Sequence, residues 1–212
     1  MNCLIVAATA IELTPFLEHY KTTAKKDIDV LVSGIGLTAT TYTLSKQIQI
    51  KRPDIIIQAG VGGCFDTTIP LGSVLAIKQE AIADQSVIEL NRLKTLFDLE
   101  LVPQNQFPFS GGWLINKNDL LKKIKLKKVK GISVNEITTS AKKIKFYKET
   151  FDPVVESMEG AALHYVCLME KIPFLQIRSV SNYIAERNKK KWDMKGSIIN
   201  LNKELIRLLQ NI

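Results

Sequence analysis

Three apolar runs near the start of this 212-residue chain each break into a small-residue turn, and a helical pattern follows each of the first two. Residues 1–8 run into Thr9, residues 29–33 into Gly34-Ile35-Gly36, and residues 54–58 into Ala59-Gly60-Val61-Gly62-Gly63. Short runs without alternation read as strands buried on both faces, which only covering helices can provide. Residues 10–19, with Ile11, Phe16 and Leu17, and residues 38–50 supply the helical patterns between them. This alternation predicts a three-layer α/β/α fold around a central mixed, twisted sheet. With 46% hydrophobic residues, a chain of this length fills one such core, so residues 1–212 are expected to form one domain.

Further along, residues 71–83 read as a long strand interrupted by Gly72. Residues 86–112 carry no clear period; Asn91-Arg92-Leu93 starts a short strand or a helix, and an irregular loop follows. Residues 118–124 are expected to be helical with Asn118 as cap, residues 128–137 a strand, and residues 141–148 a helix capped by Thr139 or Ser140. Ile198, Leu201, Leu205 and Leu208 give a closing helix over residues 194–209 its apolar stripe.

The stretch from Val155 to Trp192 carries the chemistry. Glu159 heads a helical pattern formed by Ala161, Ala162, Val166, Cys167 and Met169, which Pro173 terminates. A strand FLQIRSVS follows and ends at Ser181-Asn182, so a carboxylate at a helix start and an amide at a strand end are delivered together. Ligands gather outside the carboxyl ends of strands in open α/β sheets. Glu12 stands at the first strand-to-helix turn, where it either faces a ligand or complements the helix dipole. Three glycines among residues 60–63 exceed what a turn requires and would let a ligand lie against backbone. Arg178, deep in a strand pattern, reads as structurally paired rather than catalytic.

These ordered motifs resemble the purine nucleoside phosphorylases and nucleosidases, including methylthioadenosine/S-adenosylhomocysteine nucleosidase. The extended form, ESMEGAA with SVSNYIAERNKKKW, is similar to the futalosine hydrolases of menaquinone biosynthesis. The resemblance implies cleavage of a purine N-glycosidic bond by water, with hypoxanthine released from futalosine. Within it, Glu12 activates the water and Asn182 serves the departing base. Glu159 binds the ribose over Met158, and Ala8, Ser33, Gly62, Gly63 and Ser181 contribute to the substrate site. It further implies a homodimer, with Phe107 and Phe109 either closing the neighbour's pocket or packing within their own loop. No aromatic residue follows the strand over residues 128–137, where the family stacks one on the base. Trp192 takes that role or covers the final helix. The lysines from Arg187 to Lys191 would suit a substrate carboxylate or form a solvated loop.

Three rivals remain: methylthioadenosine/S-adenosylhomocysteine nucleosidase, a purine nucleoside phosphorylase, and a non-enzymatic polyanion binder. A net charge of +8 raises the last, but the excess is lysine with hardly any interleaved arginine or aromatic residue to contact bases, so no nucleic-acid partner is expected. Cys3, Cys64 and Cys167 are scattered among apolar or glycine residues and read as buried reduced thiols of a cytoplasmic protein. The first apolar run is too short for a membrane helix and has no basic leader, so no membrane association is expected. His19 and His164 have no ligand cluster beside them, and neither a metal nor a cofactor is expected.

Overall fold

A computed structural model describes residues 2–23, 27–185 and 188–210. Strand β1 (Cys3–Ala7) leads through a 3-10 turn (Ala10–Leu13) into α1 (Thr14–Thr23), and β2 (Ile28–Val32) into α2 (Leu37–Ile50). Strands β3 (Ile55–Cys64) and β4 (Val74–Ile82) follow, then the short β5 (Ser86–Glu89), β6 (Arg92–Thr95), β7 (Phe109–Ser110) and β8 (Trp113–Ile115). The second half runs α3 (Asp119–Lys123), β9 (Lys128–Ser133), α4 (Ala141–Phe151), β10 (Val155–Ser157), α5 (Gly160–Met169), β11 (Phe174–Tyr183), a 3-10 turn (Lys189–Lys191) and α6 (Met194–Leu209).

Strand side chains alternate between two helical layers. Ile5, Ile57, Ala59, Leu175 and Ile177 pack beneath α1 and α6 with Phe16, Leu201 and Leu205. Leu4, Val6, Ile56 and Phe174 pack beneath α2 and α5 with Leu44, Ile48, Leu163 and Val166. The sheet is mixed: β1 pairs in parallel with β2 and β3, whereas β10 meets β3 and β11 meets β4 in antiparallel fashion. The expected three layers are therefore present.

The sheet departs from the open arrangement in one respect. Strand β3 pairs with β1 over its first half, with β10 at Gly63 and Cys64, and with β11 along its length. Since β11 pairs with β4, β4 with β9 and β9 with β10, these five strands close on themselves. Glycines at 60, 62 and 63 allow β3 the twist that this exchange of partners demands. The run expected to be a loop after a short strand is thus the second half of a ten-residue strand.

Other boundaries shift for local reasons. Residues 10–13 form a tight 3-10 turn before α1, because Thr9 and Glu12 make a reciprocal capping box there. Strand β9 stops at Ser133 rather than 137, and β10, three residues long, carries too little pattern to be read from sequence. The unreadable region is two short antiparallel pairs, with Arg92 opening β6. Strand β11 bulges between Val180 and Asn182, which re-aims the side chains at its end. The three cysteines are buried free thiols. Among the described residues no helix is long and apolar enough to cross a membrane.

Candidate functional site

The site is organised along the second half of β3. Glu12 reaches it from the capping-box turn and is only 7% exposed. Its Oε1 accepts the Val61 amide at 3.1 Å, and its Oε2 accepts the Thr9 amide at 3.0 Å and the Thr9 hydroxyl at 3.1 Å. Three donors fix both carboxylate oxygens. Glu159, the N-cap residue of α5, is equally buried; its Oε1 accepts the Gly36 amide at 3.1 Å and its Oε2 lies 3.4 Å from Arg178 Nη1. Arg178 also donates through Nη2 to Gln58 Oε1 at 2.8 Å. One carboxylate and the guanidinium therefore meet at Gly60, where a side chain would overlap Arg178 and crowd Glu12, and Arg178 joins Glu159 to them.

Three residues further along β3, about 10 Å at the usual strand rise, lies the amide end. Asn182 pairs across from Gly63 and is half-buried. Its Oδ1 accepts the Ser181 hydroxyl at 2.9 Å, its Nδ2 donates to the Tyr183 carbonyl at 3.3 Å, and the Ser181 hydroxyl also reaches the Gly62 carbonyl at 3.3 Å. These contacts fix the amide, with Nδ2 beside Gly63. Asp193 donates its backbone N–H to the Ser181 carbonyl at 2.8 Å, which ties the segment carrying half-buried Trp192 to this strand end.

Of the other expected site residues, Met158 is half-buried between Ser157 and Glu159, and Ala8 lies beside Thr9 with 8% exposure. Ser33 is engaged by the protein: its hydroxyl contacts the carbonyls of Ala7 and Gly34 and the Thr40 hydroxyl, pinning two loops together. Gly62 and Gly63 have a packing cause that the sequence did not reveal. A Cβ at Gly62 would meet the Glu156 carbonyl and Val155, and one at Gly63 would overlap Ile184. Phe109 packs within its own fold against Phe97 and Tyr165, with ring centroids 5.1 and 6.2 Å away, while Phe107 is exposed. In the lysine-rich segment Lys189, Lys190 and Lys191 are exposed, and Arg187 lies outside the described residues.

Beneath this site lies a buried polar group that sequence reasoning did not single out. Glu80 on β4 is fully buried; its Oε1 accepts Gln176 Nε2 at 2.9 Å and its Oε2 accepts the Ser133 hydroxyl at 3.2 Å. Burial pushes its carboxyl up to about 7, against the lowering effects of Gln176 and Arg178. His164 on α5 is fully buried too, with Nδ1 2.9 Å from the Leu114 carbonyl, and burial pulls its imidazole down to about 4. On β10, burial also raises the Glu156 carboxyl, whose Oε1 accepts the Thr138 amide at 3.1 Å. No cluster of His, Cys, Asp and Glu that could hold a metal occurs among the described residues.

Comparison with known proteins agrees with this geometry at the level of fold and family. The 5′-methylthioadenosine/S-adenosylhomocysteine nucleosidase of Buchnera aphidicola subsp. Schizaphis graminum is 27% identical over 176 residues, covering 78% of this chain and 71% of that protein. The enzyme of the same name from Haemophilus influenzae is 26% identical over 167 residues, covering 74% and 69%. The native structure of Helicobacter pylori futalosine hydrolase superposes with a TM-score of 0.82 at 21% identity, covering 100% of this chain and 98% of that one. The Helicobacter pylori 5′-methylthioadenosine/S-adenosylhomocysteine nucleosidase with butyl-thio-DADMe-Immucillin-A gives 0.81 at 22%, covering 100% and 99%. At these identities the solved structures speak for the fold, whereas the sequence model of the Phosphorylase superfamily matches residues 11–212. The chain belongs to the Phosphorylase superfamily.

Proposed function

We propose that the protein hydrolyses the N-glycosidic bond of a purine nucleoside, with futalosine as substrate and hypoxanthine as the released base. The observation that carries this reading is that Glu12 at Gly60 and Glu159 are joined through the Arg178 guanidinium, one strand segment away from Asn182. Glycosidic cleavage builds positive charge on the ribose and negative charge on the base, and a site must answer both. Glu159 would bind ribose hydroxyls and stabilise the cationic ring, with Met158 packed beneath the sugar. Glu12 would take the proton of a water adding at the anomeric carbon. A phosphorylase needs cationic donors for a dianion there; Glu12 would repel it, and Arg178 is committed to Glu159 and Gln58.

An amide at Asn182, with Ser181 donating to its Oδ1 and its Nδ2 beside Gly63, supports a 6-oxopurine. Its Nδ2 would donate the N–H not given to Tyr183 toward the N7/O6 edge as charge develops on hypoxanthine, whereas the amino group of adenine would present a donor to a donor. Ser181 would keep the amide turned, and Trp192 would lie against the base. A second reading, 5′-methylthioadenosine/S-adenosylhomocysteine nucleosidase, is favoured by the names of the curated relatives. The test is incubation with futalosine, methylthioadenosine and inosine, with and without phosphate, and identification of the products. Hypoxanthine and a free ribosyl product without phosphate uphold the first reading. Faster release of adenine from methylthioadenosine selects the second, and ribose 1-phosphate overturns both. We also propose a homodimer contact on the outer face of α2, where Tyr42 is exposed at a recess of about 840 Å³ lined by Leu37, Thr41 and Ile82, and Ile35 is exposed just ahead of the helix. Light scattering showing a monomer at working concentration would remove it.

A further inference from the structure

Glu80 sits where a carboxylate has no direct use. It is fully buried in the polar layer between the sheet and α5, and Gly131 and Gly160 both lack side chains where its carboxyl lies. Through Ser133 it reaches the helix itself, because the Ser133 hydroxyl that donates to Glu80 also accepts the Ala161 amide at 2.8 Å. Ala161 is the second residue of α5, and Glu159 is that helix's N-cap. The charged groups facing Glu80 are Arg178 from β11 and Glu159 from α5, and His164 of α5 is linked to it through Gln176. Strands β9 and β8 bring Gly131, Ser133 and the Leu114 backbone to it, none of them titratable.

The hydrogen-bond inventory around Gln176 shows how many protons this layer holds. With Gln176 Nε2 on Glu80, its Oε1 turns to the imidazole of His164, and neither that oxygen nor His164 Nε2 has a partner. Two buried acceptors facing each other are costly. One proton resolves the conflict in either of two ways. On His164 Nε2 it donates to Gln176 Oε1 and leaves Glu80 ionised. On Glu80 it donates to a Gln176 amide turned by half a rotation, whose Nε2 then donates to His164. Burial favours the second arrangement, since it raises Glu80 and lowers His164 and so keeps the proton on the carboxyl.

We infer that Glu80 is a positioning residue for Glu159: while neutral it supports the first turn of α5 through Ser133 and sets no second carboxylate in competition with Glu159 for Arg178. Ionised, it becomes a second buried carboxylate drawing on the same guanidinium, and Glu159 loses part of its hold. This rests on the reading of Glu159 as the ribose carboxylate, so the consequence falls on KM rather than kcat. The test compares wild type with Glu80→Gln, which is permanently neutral and satisfies the same hydrogen bonds with Gln176 turned.

From about pH 6 to about pH 8.5 the wild-type KM for the nucleoside should rise about tenfold, a one-unit change in coupling, with little change in kcat. The KM of Glu80→Gln should stay low and flat. An infrared band of a protonated buried carboxyl should be present in wild type near pH 6, titrate away with the rise in KM, and be absent from Glu80→Gln. A flat wild-type KM, a Glu80→Gln profile that follows wild type, or no such band overturns the inference. If Glu80→Gln does not fold, Ser133→Ala breaks the same link and should raise KM already near pH 6; an unchanged KM overturns the link. Failure of the ribose reading shows separately, as a Glu159→Gln KM equal to wild type at every pH, and that also removes the positioning role while the infrared result stands.

Discussion

Arg178 fills the side-chain space that Gly60 leaves open: a Cβ there would overlap its Nη1, lie 3.3 Å from its Cζ and stand 3.0 Å from Glu12 Oε1. The guanidinium cannot yield, since it is 1% exposed and held by Glu159 and Gln58. Gly60→Ala should therefore break the pairing that links β11 to α5. We expect a loss of about 2–4 kcal/mol in stability, the scale of overpacking combined with a disturbed buried ion pair. Urea unfolding of the purified variant measures it, and a change below about 0.5 kcal/mol, the range of neutral substitutions, would refute the packing argument.

Glu12→Gln separates chemistry from structure. The amide keeps one acceptor oxygen, so one of the three bonds from Val61 and Thr9 is lost or weakened, at about 1 kcal/mol. A general base lost from the site costs about 10²–10⁴ in rate. The expected pattern is a large fall in kcat with a small shift in melting. A variant with near wild-type kcat assigns the activation of water to another group.

Much of this arrangement could be read from the chain. The helix-heading position of Glu159, the strand ending near Asn182 and the stripe of α6 follow from local pattern, because each depends on residues within a few turns. A lone arginine inside an apolar strand announces its need of a partner without naming Glu159 or Gln58. What could not be read depends on distant partners. Glu80 and Gln176 are 96 positions apart and look like ordinary exposed-strand polar residues until β4 and β11 pair. The glycines of β3 suggested room for a ligand, yet the atoms that need the room belong to Arg178, Glu156, Val155 and Ile184. Closure of the five strands leaves no local mark because it is a property of pairing.

Asn182→Asp tests the reading of the base. With Ser181 donating to one oxygen, the atom in the place of Nδ2 becomes an oxygen that donates only when protonated. The variant should accept from the amino group of adenine and lose donation toward O6. Selectivity for 6-oxopurine over 6-aminopurine nucleosides should fall about ten- to a hundredfold, matching the ~1–3 kcal/mol cost of a buried mispairing. Ratios of kcat/KM for paired substrates measure this, and an unchanged ratio would place base recognition elsewhere.

Glu80 and His164 should leave opposite marks on stability. The folded Glu80 carboxyl titrates at about 7 against an ordinary 4.5, so the folded state binds this proton more tightly than the unfolded chain. Its stabilisation is full below 4.5 and is lost as pH climbs to 7. Folded His164 titrates at about 4 against 6.5, so the unfolded chain binds that proton more tightly, and stability is lost as pH falls from 6.5 to 4. Each contribution is on the order of 3 kcal/mol across its window. Between 4.5 and 6.5 the two slopes oppose, and wild type should show little dependence from this pair. Removing one member exposes the other. Glu80→Gln should gain stability as pH rises from 4 to 6.5, whereas His164→Phe, which keeps a ring against Phe174, should lose stability as pH rises from 4.5 to 7. Urea unfolding at fixed temperature, with each variant compared with wild type at the same pH, cancels groups common to all three proteins. Parallel curves for the three would mean that neither side chain titrates in the folded core as its surroundings require.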